Sequence, residues 1–218
     1  MRTKTATILL VFIGSSLLLL LSACESKIAV EVYLRDIYDC IEASSCVFSA
    51  YGTFWAELNE SDYQKYKDFA TEILRKYFAS VDNVRYENSG YVANVEITTN
   101  PQHIFYFSVQ KSGTLFLHFN DAKFDSLNSE LHDLSQKESY LSYSLSPSQM
   151  SIKITFINDL RKTVTVETTG AMYVDDQECP FPEKFMLRMN QRLSITFSNV
   201  LRDYLTKRGS APVLKVYF

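Results

Sequence analysis

Apolar and polar residues alternate through most of the chain beyond Val81, and this alternation constrains the fold more than any other feature. A period of two places successive side chains on opposite faces of a β-strand, so that one face is buried and the other is solvated. The alternation is regular in 150–156 and again in 213–218. Glycine and proline are sparse, with 6 and 5 in 218 residues, so we expect a mostly regular structure.

Strands are predicted in the middle of the chain at 84–87, 91–98, 103–110 and 114–120. The last two form a hairpin if 111–113 is a three-residue loop with Gly113 in the left-handed conformation. In that register Phe107 faces Leu117, and one side of the hairpin is entirely apolar. A slip by one residue would set Phe107 against His118 and break this apolar face, so the three-residue loop is favoured.

Before residue 81 the apolar residues recur every three or four positions, which predicts helices. This spacing covers 30–41, 48–58 and 61–79. The third helix begins with Ser61-x-x-Gln64, which has the pattern of a capping box. A further short helix is predicted at 124–134, with Asp121 as its cap.

The order of these elements suggests the architecture. Helices followed by a four-stranded antiparallel meander, in residues 28–120, are similar to cystatin-like and nuclear-transport-factor-like folds. That resemblance implies helices lying on a curved sheet, and it transfers no function. Beyond residue 140 about seven short strands suggest an immunoglobulin-like β-sandwich, without the Cys, Trp, Cys arrangement of antibody domains. We therefore expect an α+β fold with two domains, 28–140 and 141–218.

The start of the chain carries a targeting signal. Arg2 and Lys4 supply two positive charges ahead of an apolar run at 6–21, which closes on Leu21-Ser22-Ala23-Cys24. This pattern predicts a secretory signal peptide over 1–23. A free-standing membrane span would need about 20 apolar residues and a charged stop on its far side. A plain secreted protein and an uncleaved anchor are the alternatives.

Residues 21–24 resemble a bacterial lipobox, in which cleavage before a cysteine leaves that cysteine with a thioether-linked diacylglycerol. The resemblance identifies the chain as a bacterial lipoprotein and Cys24 as the site of lipid attachment. Acyl chains such as palmitate would then anchor the protein in the lipid bilayer. Glu25 follows Cys24 where aspartate would signal inner-membrane retention, so a Gram-negative protein is expected on the periplasmic side of the outer membrane. Residues 24–27 are expected to be a short lipidated tether reaching roughly 10 Å.

Three cysteines remain in this oxidising compartment: Cys40, Cys46 and Cys179. Cys40 and Cys46 are close enough in sequence to close a small disulfide loop, which would stabilise the fold by roughly 2 kcal/mol. Burial of all three as free thiols is the alternative. A metal site is not expected, because Cys-x5-Cys has no second pair to complete a zinc site.

The remaining residues favour a binding role over catalysis. Catalytic and cofactor-binding motifs are not found in the sequence, so no enzyme and no cofactor is predicted. The 22 basic residues do not exceed the 25 acidic ones, which disfavours nucleic acid as a partner. The reverse side of the predicted hairpin carries a mixed surface of Ile104, Tyr106, Phe116 and His118.

We therefore predict a membrane-anchored, non-enzymatic protein-binding or assembly subunit of a cell-envelope or secretion complex. Its partner would dock on this mixed surface or on an exposed strand edge. The alternative is a small-ligand binder or enzyme with a pocket between the helices and the meander. In that case Glu57, Glu96 and Tyr106 would line the pocket, and Glu96 would be part of the functional surface.

Overall fold

The computed structural model describes residues 24–43, 45–136 and 144–218. The predicted signal peptide, 1–23, lies outside the described residues, as does most of 140–145, the first of the short strands expected beyond residue 140. In the first half of the chain the strands are β1 Cys24–Tyr33, β2 Ser49–Glu57, β3 Ser80–Glu87, β4 Gly90–Thr98, β5 Phe105–Val109 and β6 Thr114–Phe119. In the second half they are β7 Leu145–Ile157, β8 Val164–Thr168, β9 Met172–Val174, β10 Gln177–Cys179, β11 Lys184–Leu187, β12 Arg192–Phe197 and β13 Ser210–Tyr217.

These strands form two sheets that share one hydrophobic core. The large sheet has eight strands in the order β10-β9-β12-β7-β1-β2-β4-β3, and the small sheet has five in the order β11-β8-β13-β6-β5. Alternate residues of each strand point inward, and rings from the two layers meet there. Phe48, just before β2, stacks on Phe107 of β5 with ring centroids 5.7 Å apart. Burial of these apolar faces is the main force that holds the layers together.

The helices of the described residues are α1 Leu34–Glu42, α2 Glu60–Leu74, α3 Asp121–Gln136 and α4 Asn199–Arg208. The cap of the α2 helix lies two residues before Ser61, the first residue of the predicted capping box. This cap is Asn59, whose side chain accepts a hydrogen bond from the amide of Asp62 at 2.9 Å. Asn120, not the predicted Asp121, caps α3 in the same way, by accepting from the amide of Lys123 at 3.2 Å.

The predicted fold class, helices on a four-stranded meander followed by an immunoglobulin-like sandwich, is wrong. The four predicted meander strands are split between the layers, because the chain crosses from one sheet to the other after β4. The β3–β4 hairpin belongs to the large sheet and the β5–β6 hairpin to the small one. Each sheet also combines strands from both sides of residue 140. The decisive long-range pairing is β1 alongside β7, which are parallel.

Of two predicted helices, one begins four residues late and the other is a strand, because strand pairing overrides their apolar spacing. The segment 30–41 begins as the end of β1, and its helix starts only at Leu34. The segment 48–58 is β2, which lies between β1 and β4 in the interior of the large sheet. There Ala50 and Phe54 point into the core. Residues 24–27, expected to be a tether, are the first residues of β1.

The predicted hairpin register is confirmed. Phe107 pairs with Leu117, and the flanking apolar residues pair in step on the same face. Gly113 has a φ of 84°, the left-handed conformation that the three-residue loop requires. The loop closes where the Gln110 amide donates to the Thr114 carbonyl oxygen at 2.9 Å.

The structure also places the cysteines. Cys40, near the end of α1, is joined to Cys46 by a disulfide with an S–S distance of 2.13 Å and a Cα–Cα distance of 4.4 Å. The sequence left open either this disulfide or three buried free thiols, and the structure has the disulfide. Cys179, in β10, is a free thiol and is buried.

Candidate functional site

An aromatic cluster occupies the outward side of the small sheet. Tyr106 on β5 lies opposite His118 on β6, with ring centroids 4.4 Å apart and planes within 6°. Phe116 lies two residues before His118 on the same side, with its ring centroid 6.4 Å from the imidazole. The alternation of the strands puts these rings outside, because their neighbours Phe105 and Leu117 are buried in the core.

His118 is held as a neutral ring within this cluster. Its Nε2 and the Ser108 hydroxyl are 2.7 Å apart and share a hydrogen bond. Partial burial lowers the pKa of His118, because the charged imidazolium loses solvation there. The ring is therefore uncharged near neutral pH and stacks on Tyr106 as a flat aromatic surface.

The neighbouring strand extends this surface. Pro212 on β13 pairs with Phe116, so a proline ring continues the row of outward apolar groups. We call the outward surface formed by Tyr106, Phe116, His118 and Pro212 the aromatic face. Pro212 could not be placed here from the sequence, since nothing in its local pattern indicates that β13 lies beside β6.

A charged border follows the aromatic face toward β8 and β11. The Tyr217 hydroxyl donates a hydrogen bond to the carboxylate of Glu167. The ammonium groups of Lys215 and Lys184 lie 4.8 and 4.9 Å from the centre of the Tyr217 ring. Beyond them Met186, on edge strand β11, is 75% exposed. An aromatic centre with a charged border is the composition found at protein interfaces.

The structure does not bring Glu96 to this cluster. Glu96 lies on β4 of the large sheet, where it pairs with Tyr51. Glu57 is an exposed residue at the end of β2, and Tyr106 belongs to the other sheet. The predicted convergence of Glu57, Glu96 and Tyr106 is therefore wrong, because the β4–β5 connection separates the two sheets.

A shallow polar concavity lies on the outward side of the large sheet. Its volume is about 560 Å³, and its lining residues include Ala29, Glu31, Tyr51, Thr53, Asp82, Asn94 and Lys153. Ion pairs border it: Arg192 Nη1 lies 3.0 Å from a Glu31 carboxylate oxygen, and Lys153 Nζ lies 3.9 Å from Asp176. This concavity faces solvent on the outside of the sheet, whereas the predicted pocket lay between helices and sheet.

Residues 26–218 match the family described as "Domain of unknown function (DUF7424)". The chain belongs to the DUF7424 family. No curated protein and no solved structure matches it. The DUF7424 match includes the strands of both sheets, and thus both the aromatic face and the concavity.

Two further observations concern the described part of the DUF7424 domain. Its histidines, cysteines and carboxylates form no group of three or more that could hold a metal ion within residues 24–43, 45–136 and 144–218. Among the helices of those same residues, none is both long and apolar enough to cross a bilayer.

Proposed function

We propose that this DUF7424 protein is a bacterial lipoprotein, anchored through Cys24 on the periplasmic side of the outer membrane, that binds a cell-envelope protein through its aromatic face. The observation that carries the binding role is the stack of Tyr106 on His118 beside Phe116. The lipobox at 21–24 carries the anchoring role. The two roles are independent and are tested separately.

A partner that covers the aromatic face would bury a large surface at a small cost in side-chain entropy. Aromatic side chains bury a large surface with few rotatable bonds, and they are enriched among the residues that dominate binding energy. Tyr106 and His118 already restrain each other by stacking, so little side-chain freedom is lost when a partner covers them. His118 is neutral, so covering it does not bury a charge.

Site-specific photocrosslinking in intact cells tests the binding role. A photoreactive amino acid at Phe116 is expected to give a discrete adduct with an envelope protein. The matched control carries the same group at Tyr51, in the concavity of the large sheet. Adding His118→Ala to the Phe116 probe should reduce the adduct. Equal adducts from both positions, or none from position 116, would contradict binding through the aromatic face.

Mass spectrometry of the mature amino terminus tests the anchor. Acyl mass on Cys24 is expected, and an unmodified first residue would contradict the lipoprotein assignment while leaving the crosslinking result intact.

The concavity supports a second candidate, the binding of a small polar ligand. Its volume of about 560 Å³ falls within the range of ligand sites. Tyr51, which is 61% exposed, offers a ring beside the polar groups of Asn94 and Lys153. An adduct with a small molecule from position 51, and none from position 116, would favour this function over the first.

A further inference from the structure

The first described residue already belongs to the sheet. Cys24 pairs with Leu145 at the start of β7, and β1 then runs through the interior of the large sheet to Tyr33. A strand rises about 3.3 Å per residue, so Lys27 lies about 10 Å from Cys24 and Tyr33 about 30 Å. An anchor attached at Cys24 is therefore joined directly to one end of the large sheet, with no tether between them.

The ring of Trp55 extends toward that same end. Trp55 on β2 pairs with Lys27, but its indole reaches over Gly90. Gly90 pairs with Glu57, which is two residues beyond Trp55 in the direction of the start of β1. A methyl group on Gly90 would lie 2.4 Å from the indole nitrogen. That nitrogen donates to the Glu87 carbonyl oxygen at 3.3 Å. The indole is thus fixed against the β3–β4 turn at the Cys24 end.

Lys27 completes this end of the sheet. Its ammonium lies 4.5 Å from the centre of the indole and 4.0 Å from Glu25, and its side chain remains 57% exposed. Tryptophan is enriched where membrane meets water, since its ring is apolar and its N–H is polar. A lysine stem can lie along an apolar surface while the ammonium reaches a charged layer. These are the side chains expected at a lipid headgroup layer.

We infer that the end of the large sheet formed by Trp55, Lys27 and the β3–β4 turn rests in the headgroup layer of the bilayer, with β1 standing upright from the membrane. The inference rests on the proposed anchor at Cys24, and the lipobox at 21–24, which predicts acyl chains on this residue, is what selects a lipid surface as the occupant. In this orientation the aromatic face is roughly perpendicular to the membrane plane, so that a partner can reach it from the side.

The chain contains one tryptophan, so its fluorescence reports on this end alone. The full mature lipoprotein is reconstituted in phosphatidylcholine vesicles, with and without bromine on the acyl chains near the headgroup. We expect the protein to float with the vesicles and Trp55 emission to be lower in the brominated ones. Flotation with unchanged emission would overturn the orientation and leave the anchor standing. Failure to float would overturn the anchor, and the orientation with it.

A matched control moves the probe to the far end of β1. Trp55→Phe combined with Tyr33→Trp places the only indole at a residue that is 39% exposed. A second far-end probe combines Trp55→Phe with Met189→Trp and keeps Tyr33. Met189 is 53% exposed. Both proteins should float without loss of emission. Equal quenching at the near and far positions would mean that the sheet lies flat, and would overturn the inference.

Discussion

Tyr106 and His118 lie face to face across the β5–β6 hairpin, with ring centroids 4.4 Å apart and an angle of 6° between the planes. Directly opposed residues on neighbouring strands are close enough for their side chains to stabilise the pairing. Here the contact also holds two rings of the aromatic face in one orientation. The interaction is therefore structural as well as available to a partner.

A double-mutant cycle should measure this coupling. Tyr106→Ala and His118→Ala are each expected to destabilise the protein, and the double variant to lose less than the sum. The coupling free energy should be about 0.5 to 1.5 kcal/mol, as for other aromatic pairs. Urea unfolding of the four proteins provides the measurement. Strict additivity would show that the stack contributes nothing to stability.

Stability should fall when the pH drops through the range in which histidine titrates. Burial lowers the pKa of His118 in the folded state below its ordinary value of 6.5, so the unfolded chain binds more protons between the two values. The stabilisation is complete above pH 6.5 and is lost as the pH falls toward the folded-state pKa. The pKa of His103 is also lowered in the folded protein, and burial is again the main cause.

The variant His118→Gln should lose part of this pH dependence, because glutamine can still bond Ser108 but does not titrate. Unfolding free energies at about pH 7.5 and about pH 5 are compared for both proteins. His132→Gln, at an exposed residue of α3, is the matched control. An identical pH dependence in wild type and H118Q would contradict the effect of burial.

The disulfide should contribute measurably to stability. Cys40 and Cys46 are six residues apart. Closing this short loop lowers the conformational entropy of the unfolded chain, which raises the free energy of unfolding by about 2 kcal/mol. Replacing both by serine, or reducing the bond, should lower the free energy of unfolding by about this amount. Cys179→Ser serves as a comparison that leaves the bond intact. An unchanged stability on reduction would contradict the expectation.

Gly52 should not tolerate a side chain. A methyl group there would lie 1.9 Å from the Ala29 carbonyl oxygen and 2.6 Å from the Val30 Cα, and backbone atoms cannot move aside cheaply. Gly52→Ala is expected to destabilise the protein by about 3 kcal/mol. Thr53→Ala, at the next residue of the same strand, should cost no more than about 1 kcal/mol. Equal costs at the two positions would contradict the close approach of β1 and β2.

Local pairing could be predicted from the sequence. The β5–β6 hairpin is fixed by its short loop and by the need to put Phe107 and Leu117 on one side. The grouping of Tyr106, Phe116 and His118 on the reverse side follows from that register. Pro212 could not be added, because β13 reaches β6 from nearly a hundred residues further along the chain.

Long-range pairing could not be predicted, because periodicity indicates which side chains are buried but not which strands are neighbours. β1 and β7 pair in parallel, with Cys24 opposite Leu145. No residue in either strand indicates that the other strand is its neighbour. In β2 the signal was misleading for another reason. Tyr51 and Trp55 face outward while Phe54 faces the core, so both sides carry aromatic residues and the period of two is hidden.

The last prediction concerns the proposed anchor. Cys24→Ser, made behind a signal peptide whose cleavage does not depend on the cysteine, removes the thiol that would carry the lipid, and it should move the protein from the membrane fraction to the soluble fraction. The fold should survive, because the substitution leaves the buried residues described in β1, Ser26 to Val32, unchanged. Circular dichroism and the urea midpoint of the released protein check the fold, and Glu25→Gln serves as a neighbouring control that should stay in the membrane. Two acyl chains hold a protein stably at a bilayer, whereas the bare sheet end with Trp55 and Lys27 offers only a small contact. A C24S protein that remains bound to membranes would show that something other than the lipid holds it there.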